Sequence, residues 1–341
     1  MEIIVPAAGL STRFPEMKPK YLLYDYKGEL MIHNAIRPFL SKYAIHIGIL
    51  KEHDEQYNAV EILKHEFGDT VNVVVLEKPT TGPADTVYQI LKEIRLHTSP
   101  ILVKDCDSFF DHEESPGNYI CVTNIAKHES LKKLGAKSFV VYNDQGIITD
   151  IVEKEVVSDT FCIGGYKFKN AMTYKSAYEK LSTNREVFVS DVISYCIGSG
   201  QLFTIKETEN YVDVGTASEW FEYNDKPVIF CDIDGTIVKN QGKVGENNYN
   251  DSVIPLQKNI NRLLQLQKTG AQFVFTTARP SAYESKTRDM LQQLGFKKFE
   301  LIVGLQNARR ILINDYNKTN PFPRAEAINL VRDSDNLEDL L

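Results

Sequence analysis

The chain reads as an α/β protein of two domains, residues 1–224 and 225–341. Short apolar runs alternate with segments of helical spacing, the sign of βαβ units and a parallel sheet. The pattern breaks at Asn224-Asp-Lys-Pro227, and a new apolar run begins at once with Val228. The length of 341 residues, 43% of them hydrophobic and 25% charged, suffices for two buried cores.

Taken in order, Ile3 to Val5 is a short buried strand, 30–40 has helical spacing, and Ala44 to Leu50 reads as a strand. A helix over 54–67, a strand over 71–76, a helix ending near Arg95 and a strand from Ile101 follow. The spacing then predicts short strands at 119–124, 138–142, 147–152 and 160–168, an antiparallel extension in which Gly146 fits a hairpin turn at φ > 0. Helices over 171–181 and 190–197 and a strand over 201–206 follow, then a short strand carrying Asp213 and a last helix capped by Gly215-Thr216. Residues 332–341 are polar and acidic and read as a surface tail.

The net charge of −7 speaks against nucleic acid and anionic membranes as partners. No apolar run reaches the roughly 18 residues of a membrane span, and the first residues form a core strand rather than a leader, so a cytoplasmic location is expected. The five cysteines are scattered, without a Cys-x-x-Cys, and read as reduced and mostly buried.

The first concentration of chemistry follows the opening strand: Pro6-Ala7-Ala8-Gly9-Leu10-Ser11-Thr12-Arg13-Phe14, then Lys18-Pro-Lys20-Tyr-Leu-Leu. Ala7, Ala8 and Gly9 leave a turn nearly without side chains, so backbone N–H groups can close on a phosphate. Ser11 and Thr12 add hydroxyls, and Arg13 and Lys20 add the charge that a triphosphate needs. A Gly/Thr turn with Gly82 and Asp85 opens the helix that begins near Pro83. The strand from Ile101 ends in Asp105 and Asp107, two carboxylates at i and i+2 on one face, for which Mg²⁺ with its oxygen ligands is the natural occupant.

These stretches resemble the signature of the nucleotidyltransferases that make nucleotide sugars and CDP-alcohols, and the resemblance runs in order over residues 1–224. It implies a Rossmann-like domain with a GT-A-like mixed sheet. Arg13 and Lys20 would bind the NTP phosphates as pyrophosphate leaves, and the segment around Gly82 and Asp85 would lie against the base. One of Asp105 and Asp107, with Asp107 favoured, would hold Mg²⁺ together with Asp213 of the Tyr211-Val-Asp213-Val-Gly215-Thr216 segment. Glu153 and Lys154 match a Glu-Lys-Pro motif that binds the acceptor's hydroxyls and phosphate, with Glu155 standing where the family has proline. Gly165 lies in a glycine-rich strand on the substrate side. The short Pro-Lys-Tyr-Leu segment is closer to cytidylyltransferases, which favours CTP and leaves UTP and GTP open.

The second domain opens with Val228-Ile-Phe-Cys-Asp232-Ile-Asp234-Gly235-Thr236, which resembles the first motif of haloacid dehalogenase-like phosphatases. A small capless Rossmannoid domain is implied, because only about 20 residues separate Gly235 from the next helix; an open site of that kind suits a bulky substrate. The resemblance makes Asp232 the nucleophile and Asp234 the general acid/base. It also makes Thr277 and Arg279 substrate-binding residues, and Asp232, Asp234 and Asp315 the Mg²⁺ ligands, with Asn314 in place of the commoner acid. The phosphate-binding cation is left open among Lys286, Arg288, Arg309 and Arg310.

The expected protein is thus a bifunctional enzyme of cell-surface glycan precursors. It would join an NTP to a phosphorylated sugar or phospho-alcohol, with one Mg²⁺ per active site, and hydrolyse a phosphomonoester. The alternatives are an inactive regulatory second domain, or a glycosyltransferase that uses a ready-made nucleotide sugar. Oligomeric state is not legible.

Overall fold

The computed structural model describes residues 1–128, 134–181, 186–241, 253–315 and 325–341. They form two compact units, Met1–Asn224 and Asp225–Leu341.

In the first unit β1 (Glu2–Pro6), α1 (Met31–Ile36), β2 (Ala44–Leu50), α2 (Lys51–Tyr57), α3 (Ala59–Phe67), β3 (Val71–Leu76), α4 (Pro83–Glu93) and β4 (Ile101–Lys104) build the βαβ part. β5 (Ser108–Phe109), β6 (Asn118–Asn124), β7 (Ser138–Tyr142), β8 (Ile148–Glu153) and β9 (Thr160–Phe168) follow, then α5 (Ala171–Leu181), α6 (Val189–Gly198), β10 (Phe203–Glu207), β11 (Val212–Asp213) and α7 (Ala217–Asn224). The strand order is β10-β6-β9-β4-β1-β2-β3, with the β7–β8 hairpin attached to β9. β4, β1, β2 and β3 run parallel, while β9 is antiparallel to both β4 and β6.

Both faces of this sheet are covered. Ile4, Ile101 and Val103 enter one apolar cluster and Ile3, Val5 and Leu102 the other, as the two-residue period of a strand dictates. All five cysteines of the chain are buried free thiols.

Three elements differ from the sequence-based expectation. The helix expected over 30–40 is α-helical only to Ile36 and tightens into a 3₁₀ turn, Arg37–Phe39, where Pro38 cannot donate the next hydrogen bond. The helix expected over 54–67 is broken at Asn58, which sits left-handed at φ 52°, a conformation asparagine tolerates; its N–H donates to the Asp54 carbonyl at 2.8 Å, while the Asp54 side chain accepts from Val60 N. The third difference lies in the second unit.

That unit comprises β12 (Val228–Asp232), α8 (Gln257–Lys268), β13 (Gln272–Thr276), α9 (Glu284–Gln293) and β14 (Glu300–Ile302), with a parallel sheet in the order β12-β13-β14. The segment after residue 330 is no surface tail. Leu337 is buried in the unit's core, and Asn259, fully buried on α8, donates to the Ser334 and Thr236 carbonyls at 2.8 Å and accepts from Leu337 N at 2.9 Å. Sequence patterning missed this because one leucine and a distant asparagine carry the docking. Among the described residues no helix is long and apolar enough to cross a membrane.

One buried histidine gives the fold a pH signature. His112 shares a 2.7 Å hydrogen bond with the Tyr119 hydroxyl, and burial, aided by nearby lysines, lowers its pKa from 6.5 to about 4. The unfolded chain therefore takes up this proton at a higher pH than the folded one, so the associated stability is complete above pH 6.5 and is lost as the pH falls toward about 4. Melting temperatures across that window should fall less steeply for His112→Gln than for the wild type.

Candidate active site

The parallel pairing of β1 with β4, Glu2 opposite Ile101, sets the loop after β1 beside the turn after β4, at the carboxyl ends of both strands. Ala7 and Ala8 are buried under the loop, whereas Gly9 has nothing within 4 Å of the position a Cβ would take. Ser11 accepts the Lys20 N–H at 3.1 Å, which folds the loop onto the Lys20–Leu22 turn. Tyr21 and Leu22 bury themselves, and Lys20 Nζ reaches Asp107 Oδ2 at 2.5 Å. Thr12 and Arg13 are exposed, and the Arg13 carbonyl accepts from Ala217 N at the start of α7.

The short antiparallel pair of β5 with β11 sets Asp213 opposite Ser108. Gly215 marks the convergence that results: a Cβ there would lie 3.2 Å from Asp107 Oδ2, 3.3 Å from Asp213 Oδ1 and 3.6 Å from Arg13 Nη1. Asp105 is directed elsewhere, its carboxylate against Gly164, where a Cβ would come within 2.6 Å of Oδ2. Gly164 also holds φ +85°, so both space and backbone call for glycine. Of the two acids after β4, Asp107 is therefore the one that meets Asp213.

Electrostatics separate the pair as well. Burial raises the Asp105 carboxyl, and the neighbouring Asp107 charge raises it further. Burial acts on Asp107 in the same direction, but the Lys20 ammonium and then Arg13 outweigh it and hold this carboxyl well below the usual range.

Two lysines that the sequence reading passed over take part. Lys137, just before β7, donates to the Tyr211 hydroxyl at 3.0 Å and to Asp213 Oδ2. Lys104 is fully buried at the end of β4 and donates to the Asp105 carbonyl at 2.7 Å and to the Ser108 carbonyl and hydroxyl at 2.6 and 2.8 Å. Its ammonium thereby shapes the turn that presents Asp107, and burial lowers its pKa to about 8. A lone lysine ending an apolar strand carries no motif, and only its three acceptors reveal it.

The remaining residues singled out in the first unit are placed as follows. Asp85 accepts from Thr81 N at 2.9 Å and from Gln89 Nε2 at 3.0 Å, so its oxygens order the turn that carries Gly82. Glu153 Oε2 accepts from the Ser138 and Ser190 hydroxyls. Lys154 sits left-handed at φ 59°, its ammonium 4.1 Å from the centre of the Phe188 ring. Gly165 is buried, and Cys121 and Phe110 fill the place of its side chain, since a Cβ there would meet each at 2.8 Å.

In the second unit Asp232 ends β12 opposite Thr276. Its carboxyl is raised by burial and by the charge of Asp234, against a pull downward from Arg310 and Arg332. Asp234 lies in a two-pronged ion pair: Arg279 Nη2 donates to Oδ1 at 2.7 Å and Nε to Oδ2 at 2.9 Å, with Thr277 Oγ1 at 3.3 Å. Arg279 is itself buried, with Thr287 behind it. Asp315 ends the exposed run 311–315, and among the described residues no three acids, histidines or cysteines gather into a metal cluster, so Asp315 does not join Asp232 and Asp234. Arg310 donates to the Gln306 and Ala308 carbonyls, and Arg288 pairs with Glu284. Arg332 packs on Gly235, where a Cβ would come within 2.9 Å of its Cγ.

Replacing Lys104 by methionine would leave three acceptors without their shared donor. A loss of about 3 kcal/mol is expected, seen as a lower melting temperature, together with faster hydrogen exchange at the 105–108 amides.

Residues 10–227 match the family model described as nucleotidyl transferase, and residues 229–322 match that of a haloacid dehalogenase-like hydrolase. Among solved structures, the nucleoside-diphosphate-sugar pyrophosphorylase from Vibrio cholerae RC9 is 19% identical with a TM-score of 0.55, the match covering 64% of this chain and 98% of that one. The inositol-1-phosphate CTP transferase from T. maritima is 16% identical with a TM-score of 0.54, covering 64% and 90%. At these identities the likeness is one of fold. A search of curated proteins returns no match. With most of its length matched, the chain belongs to the nucleotidyl transferase family and carries a haloacid dehalogenase-like hydrolase domain after it.

Proposed function

We propose that the first unit, residues 1–224, transfers a nucleotidyl group from an NTP, with CTP favoured, to the phosphate of a sugar phosphate or phospho-alcohol and releases pyrophosphate. The observation that carries this reading is the convergence of Asp107, Asp213 and Arg13 on one point beside Gly215, with Lys20 bonded to Asp107.

The donor set suits Mg²⁺: two carboxylates, hard oxygen ligands, with Asp105 directed away toward Gly164, as befits an ion that takes its other ligands from phosphates and water. Bound there, Mg²⁺ would neutralise phosphate charge and bring donor and acceptor oxygens into line. The remaining work falls to the chain. The loop 7–12 offers backbone N–H groups to the triphosphate, and the Gly82 turn, ordered by Asp85, borders the base. The acceptor phosphate, already ionised, attacks the α-phosphorus without a general base. The new acceptor O–P bond forms as the bond to the β-phosphate oxygen breaks, and Arg13 and Lys20 stabilise the charge on departing pyrophosphate. Glu153, braced by Ser138 and Ser190, faces the acceptor's hydroxyls.

The second unit, residues 225–341, would hydrolyse a phosphomonoester. Asp232 attacks phosphorus to give an aspartyl phosphate, the alkoxide leaves, and water then releases phosphate. Asp232 and Asp234 are its proposed Mg²⁺ ligands, without the Asp315 that the motif would add, Thr277 is its phosphate contact, and a bisphosphorylated acceptor trimmed before nucleotidyl transfer is its substrate. The Arg279–Asp234 ion pair favours a second reading, in which this unit binds a phosphorylated ligand without cleaving it, because both oxygens of the Asp234 carboxylate are already engaged by the buried Arg279 guanidinium. A soluble cytoplasmic enzyme of glycan or phospho-alcohol precursors, without nucleic-acid partners, fits both.

Full-length protein with Mg²⁺, assayed against four NTPs crossed with a panel of sugar 1-phosphates and phospho-alcohols, should release pyrophosphate with one pair. Lys20→Ala should lower that rate roughly 10²–10³-fold; silence across the panel overturns the transferase reading. The same protein should hydrolyse an aryl phosphate in a manner abolished by Asp232→Asn. No hydrolysis by the wild type would favour the binding reading of the second unit.

A further inference from the structure

We propose that Lys137, rather than Lys154, is the lysine that receives the acceptor's phosphate, released from Asp213 when that carboxylate turns to a metal ion. This rests on the transferase reading above and assigns a residue to it.

Lys137 and Lys154 are cross-strand neighbours. Lys154 N donates to the Lys137 carbonyl at 2.9 Å, one step beyond the Ser138–Glu153 pair of the β7–β8 hairpin. The two side chains nevertheless diverge. Lys154 holds φ 59°, and its ammonium lies on the Phe188 ring. The residue after it is the reason such a backbone is accessible: a proline at 155 would confine residue 154 to extended conformations, and Glu155 imposes no such limit. Lys137 instead reaches inward to Asp213 and Tyr211, and its side chain and that of Asp213 are only 19% and 12% exposed.

Each converging carboxylate is thus matched by its own lysine, Asp107 by Lys20 and Asp213 by Lys137. A divalent ion on the two carboxylates competes with both ammonium groups. Lysine is a point charge on a flexible four-carbon stem, so the displaced Lys137 can swing about its own backbone and pair with a phosphate on the hairpin side of the ion. Lys20 and Arg13 remain on the side of the β1 loop. Two phosphate groups that must meet in line would then each have a cation, supplied from different strands.

The assignment makes two measurable effects run in opposite directions. In titration calorimetry of the nucleotide-free, full-length protein with Mg²⁺ alone, Lys137→Met should bind the ion at least about 3-fold more tightly, since a competing cation is gone; a purely structural lysine would weaken the site when lost. In titrations of inorganic phosphate in the presence of Mg²⁺, Lys137→Met should remove a binding component or weaken it about 10-fold, the effect of one charge-assisted hydrogen bond. That component should persist in Lys137→Arg, Lys154→Met and Asp232→Asn. Phosphate binding unchanged by Lys137→Met, absent from the wild type, or lost in Lys154→Met instead would overturn the proposal, as would weaker Mg²⁺ binding in Lys137→Met with Lys137→Arg unchanged. The pyrophosphate assay reports separately on the transferase reading. A protein that turns over its substrates but fails these titrations retains the function and loses the lysine assignment.

Discussion

The ion pair between Lys20 and Asp107 joins residues 87 positions apart in the chain and fixes the geometry on which the first unit's site rests. It forms because β1 and β4 are parallel neighbours, so the segments leaving them emerge at the same edge of the sheet. Each partner is held from behind, Lys20 by the buried Tyr21 and Leu22 and Asp107 by a turn wound around the Lys104 ammonium. Two charges removed from most of their water are tolerated only when so well paired. The strong depression of the Asp107 carboxyl is the electrostatic record of that arrangement.

The same logic takes a different form in the second unit. There the matched charges are Asp234 and Arg279, with the half-buried carboxylate held by a guanidinium that is buried beside Thr277 and Thr287. A lysine holds a carboxylate through one mobile ammonium, whereas the Arg279 guanidinium grips Asp234 by two planar donors. The first arrangement leaves the ammonium free to turn on its stem; the second is held at two points. The two units therefore prepare their acidic residues to different degrees, although both set them at the carboxyl end of a parallel strand.

How much of this was legible follows from where the information sits. The β1 loop, the acids after β4, the Asp213 segment and the Asp-x-Asp turn after β12 are local patterns, in which residue type and spacing already state the chemistry. The family and the mixed sheet followed from them. Lys137, Lys104 and Asn259 were not legible, since each acquires meaning only from partners brought close by folding. The break at Asn58 was hidden for another reason: the apolar period continues across it, and one left-handed residue turns the helix axis without disturbing that pattern. Arg279 shows the converse. Its motif marks it as a substrate-binding residue, yet its side chain is turned inward to Asp234, a choice of rotamer and partner that no spacing encodes.

The buried cysteines have a consequence for how opening of the chain can be followed. Burial pushes the thiols of Cys106 and Cys196 up to about 11 and those of Cys121 and Cys231 to about 12, and it raises Cys162 well above its ordinary value. The native protein near neutral pH therefore offers an alkylating reagent neither access nor thiolate. Modification must wait for a structural opening, and its rate counts such openings. Because Cys231 lies in the second unit and the other four in the first, peptide mapping of the alkylated sites would time the two units separately in one intact chain, with no label engineered into either.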